Sequence, residues 1–554
     1  MIPLTGPPCG PYALDVVDDS RAAPSHARFC ILLGLIALIF AAQSVHLARV
    51  LVPSHDETSA LFFGYLTASG RVSLYQDEVI GHRAPGPAYI IGSTQVMWGR
   101  SLMAARLASV TFALALLLLT AWLAREVGGD TAGLLAAAFL TAQGAIVGYY
   151  AIGDYHALVP MVMMAGLLVW LSGAAPVHNV LGAAVLGSLF FMRAHMWSLL
   201  PAVLLLALRR ARGWGERLLV VLVMMVPPLI FLAWDIRHLK LLVSLPLVGR
   251  LVRPLGYMPF FLLDERPYQA WGWQARMLLQ LTRRYEFLVL ATAVIVLLAL
   301  WRRRRAGPGA PVFADRRVAL LAWLFVYMLG CLFVAFRINF KWIGMYFASL
   351  LPLLAVVLGC LASRLLADAA LGRRGRAAFA LFLAAVLVLP MYYNRNPLMP
   401  SGPVRAADPV RAVQVAGEHL ARLVPADARV FFFGQVDVYY FSGLPPTYLQ
   451  QITHYDTLAV NEGDNAALLR SGYYGMPQVE RWLGAEADYA VVSPQSLLTF
   501  AEGLHNHPEV NRPKVARIRE LLDRHFTRIG TVTEYPYYSY DVYRRVNRSD
   551  PASR

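Results

Sequence analysis

The segment from Phe29 to Val52 is an apolar run of bilayer length, and the sequence returns to that pattern repeatedly. About 20 residues rising 1.5 Å each cross a ~30 Å hydrocarbon core, where backbone polar groups have only one another as partners, so spanning helices are the available solution. Further apolar segments run from Leu102 to Ala124, Ala132 to Tyr150, Ala157 to Gly173, Val177 to Met192 and Trp197 to Leu208. Others cover Leu218 to Trp234, Phe287 to Trp301, Val318 to Phe336, Trp342 to Ala362 and Ala377 to Tyr393. The expectation is a polytopic α-helical membrane protein with about eleven transmembrane helices, in which the short segments flanking Arg193 and His195 form one broken unit or two spans. Composition agrees, since 58% of residues are hydrophobic and 15% charged, against about a quarter charged in soluble domains.

The net charge of +16 comes mainly from arginines gathered between apolar segments. That distribution speaks for membrane topology and against nucleic acid as a partner. With the N-terminus in the cytoplasm, three basic clusters fall on one side, as the positive-inside rule asks. They are Arg209, Arg210, Arg212 and Arg217; Arg302 to Arg305 with Arg316 and Arg317; and Arg364 with Arg373, Arg374 and Arg376. The stretch Leu241 to Leu263 is apolar, but Arg250 and Arg253 would lie mid-bilayer at about 3 kcal/mol each, and Pro246, Pro254 and Pro259 interrupt it. Asp235 to Tyr285 is therefore assigned to an external loop.

The resulting domain plan has a cytoplasmic segment 1–28, a membrane domain 29–393 with external loops 53–98 and 235–285, and an external α/β domain 394–554. In that last part, strand-like runs (Arg429 to Phe433, Asp488 to Val492, Tyr537 to Tyr543) alternate with helical ones (Val410 to Leu423, Val515 to Phe526). The polar stretch Pro445 to Tyr474 reads as loops able to touch a polar ligand. Cys9, Cys30, Cys331 and Cys360 have no CxxC spacing, so neither a disulfide framework nor a zinc site is indicated.

On this topology the external membrane face collects His55-Asp56-Glu57, His82 with Arg83, Asp154-Tyr155-His156, Arg193 with His195, and Arg337 with Lys341. Ionisable groups at a membrane boundary are costly to bury and face cavities or partners. Each has a plain structural reading as well. Asp56 and Glu57 suit a helix end, Asp154 suits an N-cap, the cations suit snorkelling anchors, and the histidines suit hydrogen-bonding roles. If the ends surround one cavity, the site combines carboxylates that accept a proton with cations that hold a phosphate.

The order of these features resembles the GT-C glycosyltransferases, in the branch of the bacterial aminoarabinose, galacturonic acid and protein mannosyl transferases. An Asp-Glu pair follows the first span, an external loop carries a basic residue before proline, and a second Asp precedes the fourth span. The run Arg337 to Pro352, with Lys341 and Tyr346, is similar to that family's basic and aromatic lead into a Leu-Pro span. The chain departs from it where Lys-Pro-Pro-Leu is replaced by His82-Arg83-Ala84-Pro85, and where Arg193 stands for a lysine.

The resemblance implies a GT-C-like fold and an inverting transfer of sugar from a polyprenyl-phosphate-linked donor to a lipid, glycan or protein acceptor, at the outer face of the inner membrane among membrane lipids. It implies Asp56, Glu57 and Asp154 as catalytic carboxylates, and Arg83, Arg193, Arg337 and Lys341 as carrier-phosphate ligands. His55, His82, Tyr155, His156, His195 and Tyr346 would line the substrates. The resemblance fixes no cofactor: a divalent metal is compatible with Asp56, Glu57, Asp154 and His156 as ligands, and their spacing does not decide. A transporter or flippase of lipid-linked sugars would place charges near span centres in two related halves, and a non-catalytic envelope-assembly protein would leave the acidic clusters without a task.

Overall fold

The computed structural model describes residues 23–72, 85–238, 285–306, 312–313, 315–335, 346–393, 408–452, 458, 474–503 and 508–546. The segment before residue 23, most of the 235–285 loop, and residues 453–457 and 459–473 of the polar stretch Pro445 to Tyr474 lie outside the described residues.

The helices run in order as α1 (Ala23–Val50), α2 (His55–Ala68), α3 (Pro85–Trp98), α4 (Leu102–Gly128), α5 (Asp130–Ala142), α6 (Gly144–Ala151) and α7 (Leu158–Ser172). They continue as α8 (Pro176–Gly187), α9 (Leu199–Arg210), α10 (Trp214–His238), α11 (Glu286–Ala306), α12 (Arg316–Ala335), α13 (Leu351–Ala367) and α14 (Gly372–Tyr393). Among the described residues, three helices are long and apolar enough to cross a membrane: His26–Val50, Leu102–Gly128 and Ala369–Met391. The pair α5 and α6 makes a fourth if counted as one span, although it bends by 78°. Shorter apolar helices, including α7 and α13, complete the bundle. At its centre is α4, which packs against α1, α5, α7 and α13. It begins where Ser101 Oγ accepts from Ala104 N at 3.2 Å and ends at Gly129, whose φ of 83° a side chain would resist.

The stretch expected as an external loop, 53–98, contains two helices. Their pairing depends on glycine, because a Cβ on Gly64 would stand 2.9 Å from the Ala88 carbonyl oxygen and one on Gly92 would overlap the Gly64 carbonyl. Backbone therefore meets backbone between α2 and α3.

After residue 408 come α15 (Pro409–Leu423), β1 (Val430–Phe433), α16 (Val436–Phe441), α17 (Met476–Arg481), β2 (Tyr489–Val492), α18 (Pro494–Ala501), α19 (Pro508–His525), β3 (Phe526–Val532) and β4 (Tyr540–Arg545). The sheet order is β1-β2-β4-β3, parallel between β1 and β2 and antiparallel elsewhere. The sequence pattern places a helix up to Phe526, whereas the helix ends at His525 and β3 begins at Phe526.

All four residues of β1 are buried, and alternation sends them to two cores. Phe431 and Phe433 join a core with Trp482 and Phe500. Val430 and Phe432 join one with Leu61, Phe62 and Leu66 of α2 and Ile91 of α3. The sheet is thus docked on the α2–α3 pair. Polar contacts fix the register: Ser59 Oγ donates to the Ile452 carbonyl at 3.0 Å, Tyr440 Oη donates to Gln95 Oε1 at 2.8 Å, and Arg100 Nη1 donates to the Tyr440 carbonyl at 3.2 Å.

Asp437, in the first turn of α16, is buried. Its Oδ1 accepts from Val438 N at 2.9 Å and from Tyr540 Oη at 3.0 Å. Burial nevertheless outweighs those bonds and pushes the carboxyl up to about 6. Between about pH 4 and 6 the folded state keeps a proton that the unfolded chain releases, so stability falls as pH rises and levels off above the folded pKa. The difference is about 3 kcal/mol. Asp437→Asn should abolish this slope in thermal unfolding of the purified chain scanned from about pH 4 to 7.

Candidate active site at the N-terminus of α2

Ser54 caps α2, its Oγ accepting from Glu57 N at 3.2 Å, and places Asp56 and Glu57 in the first turn, where the helix end favours carboxylates. The two acids then diverge. Glu57 is fully buried and meets the fully buried Arg106 of α4 side-on. Arg106 Nε donates to Oε1 at 2.8 Å and Nη2 to Oε2 at 2.7 Å. The remaining Nη1 donates to the carbonyls of Ala48 and Leu51, both at 2.7 Å, at the end of α1. Gly153 N also donates to Glu57 Oε1, at 2.5 Å. A Cβ at Gly153 would lie 2.8 Å from Ala105 Cβ and 3.2 Å from that oxygen, so glycine lets the turn approach. One ion pair thereby joins the end of α1, the start of α2, α4 and the turn before α7.

That turn follows the bent pair α5 and α6 and carries Asp154, Tyr155 and His156. Asp154 is buried; its Oδ1 accepts from Tyr155 N at 2.7 Å, and its Oδ2 lies 3.5 Å from His156 Nε2. The His156 ring meets Tyr155 edge-on at 4.6 Å between centroids and Tyr149 at 5.5 Å. Opposite stands Arg193, in extended backbone (φ −167°, ψ 138°) between the 3-10 turns Ser188–Phe191 and Ala194–Ser198. Irregular backbone within an apolar bundle is tolerated where it is covered by protein or lines a cavity. The Arg193 guanidinium lies 3.5 Å from the Tyr155 ring centroid and 4.7 Å from that of Tyr346, and it is hydrogen-bonded to Tyr346 through the side chain. Asp56, partly exposed, interacts electrostatically with both tyrosines. Tyr150 Oη, donating to the Ala348 carbonyl at 2.6 Å, ties α6 to the segment bearing Tyr346.

Of the residues selected from sequence, Asp56, Asp154, Tyr155, His156, Arg193 and Tyr346 come together, and Glu57 stands behind them in its ion pair. His55 opens α2 and His195 lies in the turn after Arg193, but neither side chain is among the described residues. His82, Arg83, Arg337 and Lys341 fall outside the described residues. Among the described residues no three His, Cys, Asp or Glu side chains converge as a metal site. Arg106 was missed. Its signal was present, as a lone arginine inside an apolar run of spanning length, which in a membrane calls for a partner.

No family model matches the sequence, and no curated protein matches it. The fold is similar to that of ArnT from Cupriavidus metallidurans bound to undecaprenyl phosphate, at a TM-score of 0.53 and 15% identity over 94% of this chain and 98% of that one. The apo state of the same protein gives 0.50 and 14%, over 95% and 98%. The apo oligosaccharyltransferase of Archaeoglobus fulgidus gives 0.49 and 12%, over 87% and 72%. The ArnT likeness shows the fold, a mostly helical architecture, and three helices among the described residues are long and apolar enough to cross a membrane.

Arg106→Ala would strand Glu57 as a buried unpaired charge, and should lower stability by about 3–5 kcal/mol. In a double-mutant cycle measured by unfolding in detergent, adding Glu57→Ala should cost far less than it does alone, with a coupling of about 2 kcal/mol or more.

Proposed function

We propose that this chain is an inverting glycosyltransferase that moves a sugar from a polyprenyl-phosphate-linked donor to a hydroxyl of an envelope acceptor. The observation that carries this is the meeting of Asp56, Asp154 and His156 with Arg193, which lies against the rings of Tyr155 and Tyr346, on a fold similar to a protein solved with undecaprenyl phosphate bound. A proton acceptor and a phosphate-binding cation are the two groups such a transfer needs.

Asp56 is the general base. As the acceptor oxygen forms its bond to the anomeric carbon, Asp56 takes the hydroxyl proton, and the bond from that carbon to the carrier phosphate oxygen breaks on the opposite side. One displacement inverts the anomeric centre. The negative charge that develops on the departing polyprenyl phosphate falls to Arg193, whose fork makes charge-assisted bonds to phosphate, supported by Tyr346 and by Arg83, Arg337 and Lys341. Asp154, held toward His156, orients the acceptor, and Tyr155, His55, His82 and His195 line the approach. Glu57 has both oxygens engaged by Arg106, so its part is to hold the α2 terminus rather than to take the proton. Residues 29–393, with about eleven spans, lie in the inner membrane, and the site and residues 394–554 face the periplasm.

Purified protein given labelled polyprenyl-phosphate sugar and acceptor should transfer the label. Asp56→Asn should lower that rate by about 10²–10⁴-fold with the unfolding midpoint unchanged, and wild-type turnover by this variant would remove Asp56 as the base. Arg193→Lys, which keeps the charge but loses the planar fork, should retain roughly a tenth or less of the activity.

A further inference from the structure

A concavity lies in the α/β region. A cleft of about 550 Å³ opens between the segment following α16 and the end of α17, with Arg429, Tyr448, Gln450, Arg481, Trp482 and Glu486 in its lining. Its size is that of small-ligand sites, about 300–1,000 Å³. Its inner side is aromatic: the Tyr448 and Trp482 rings stack at 4.4 Å and 24°, and both residues are more than nine-tenths buried. The Tyr448 hydroxyl is buried too, and it has no hydrogen-bond partner among the described residues. Burial pushes this phenol up to about 12, so it keeps a proton to donate. Leaving such a group unmatched is unfavourable, and an oxygen from a ligand would offset that cost.

The rim narrows the chemistry. Arg429 Nε and Nη2 pair with the two carboxylate oxygens of Asp488 at 3.1 and 3.0 Å, and Arg481 Nε pairs with Glu486 Oε1 at 3.0 Å. Each guanidinium already faces a carboxylate, so the cleft offers an anion little net attraction. What it does offer are N–H donors and carboxylate lone pairs in fixed planes, an array matched to neighbouring hydroxyls. From the orphaned phenol and the charge-balanced rim we infer that this cleft binds a neutral carbohydrate, and that it holds the glycan part of the acceptor. The second half of that statement rests on the proposed glycosyl transfer. A single segment links the two places: beyond Gln450 it reaches Ile452, whose carbonyl accepts from Ser59 of α2, one turn after Asp56.

The test uses the purified full chain in detergent on an array of neutral and acidic glycans, together with the transfer assay. Neutral glycans should be retained, and Tyr448→Phe, which keeps the ring stack and removes only the hydroxyl, should weaken their binding roughly 5-fold. In transfer, Tyr448→Phe should raise KM for the acceptor by a similar factor and leave kcat alone. Retention of acidic glycans only, of none, or binding and KM indifferent to Tyr448→Phe overturns the cleft assignment and leaves the transferase reading standing. Neutral-glycan binding that depends on Tyr448, in a wild-type protein that transfers no sugar, keeps the cleft as a carbohydrate site and overturns the transferase reading.

Discussion

Opposite charges without access to water are the condition on which this architecture depends. Glu57 and Arg106 are both fully buried, a state that neither could hold alone. Because they meet side-on and the spare guanidinium nitrogen closes the end of α1, their geometry sets where α2 begins. It also sets where Asp56 points. Successive residues on a helix are about 100° apart, so fixing Glu57 toward the bundle turns its neighbour to a different face, where it is partly exposed. Two adjacent acids in one sequence acquire different surroundings because one of them is locked.

The same helix has a second set of obligations. Further along α2, Leu61, Phe62 and Leu66 share a core with the inner face of the sheet, and Ser59 reaches the Ile452 carbonyl. A 14-residue element is therefore clamped by the membrane bundle at its first turn and by the α/β region over the rest of its length. Glycines at 64 and 92 bring α3 against it backbone to backbone. The stretch that looked like connector is among the most constrained parts of the molecule.

Much of this was legible beforehand, and the misses have physical causes. Apolar periodicity located the long helices to within a few residues, since lipid imposes one solution on such runs. Hydropathy carries no information about direction, so Ala132 to Tyr150 read as one span although it bends by 78° after Ala142. The acids after Pro53 suggested loop, whereas Ser54 before Asp56-Glu57, and Pro85 at the first position of α3, are helix-start signals. Arg106 vanished into an average over neighbouring leucines and alanines. Topology put Asp56, Asp154 and Arg193 on one face and only the resemblance added Tyr346; their actual meeting is made by contacts between helices far apart in sequence. β3 was hidden by α19, whose pattern runs directly into Phe526 without a turn residue between them.

Arg193 shows how a site can be prepared in advance. A free arginine side chain has about 2 kcal/mol of rotamer entropy to lose on being ordered, and binding normally bears that loss. Here the guanidinium already lies against the Tyr155 and Tyr346 rings, so its disorder is removed during folding rather than on ligand arrival. Any group that meets it finds a side chain whose shape is already set, and the strength of that contact is governed by how much water each party must shed.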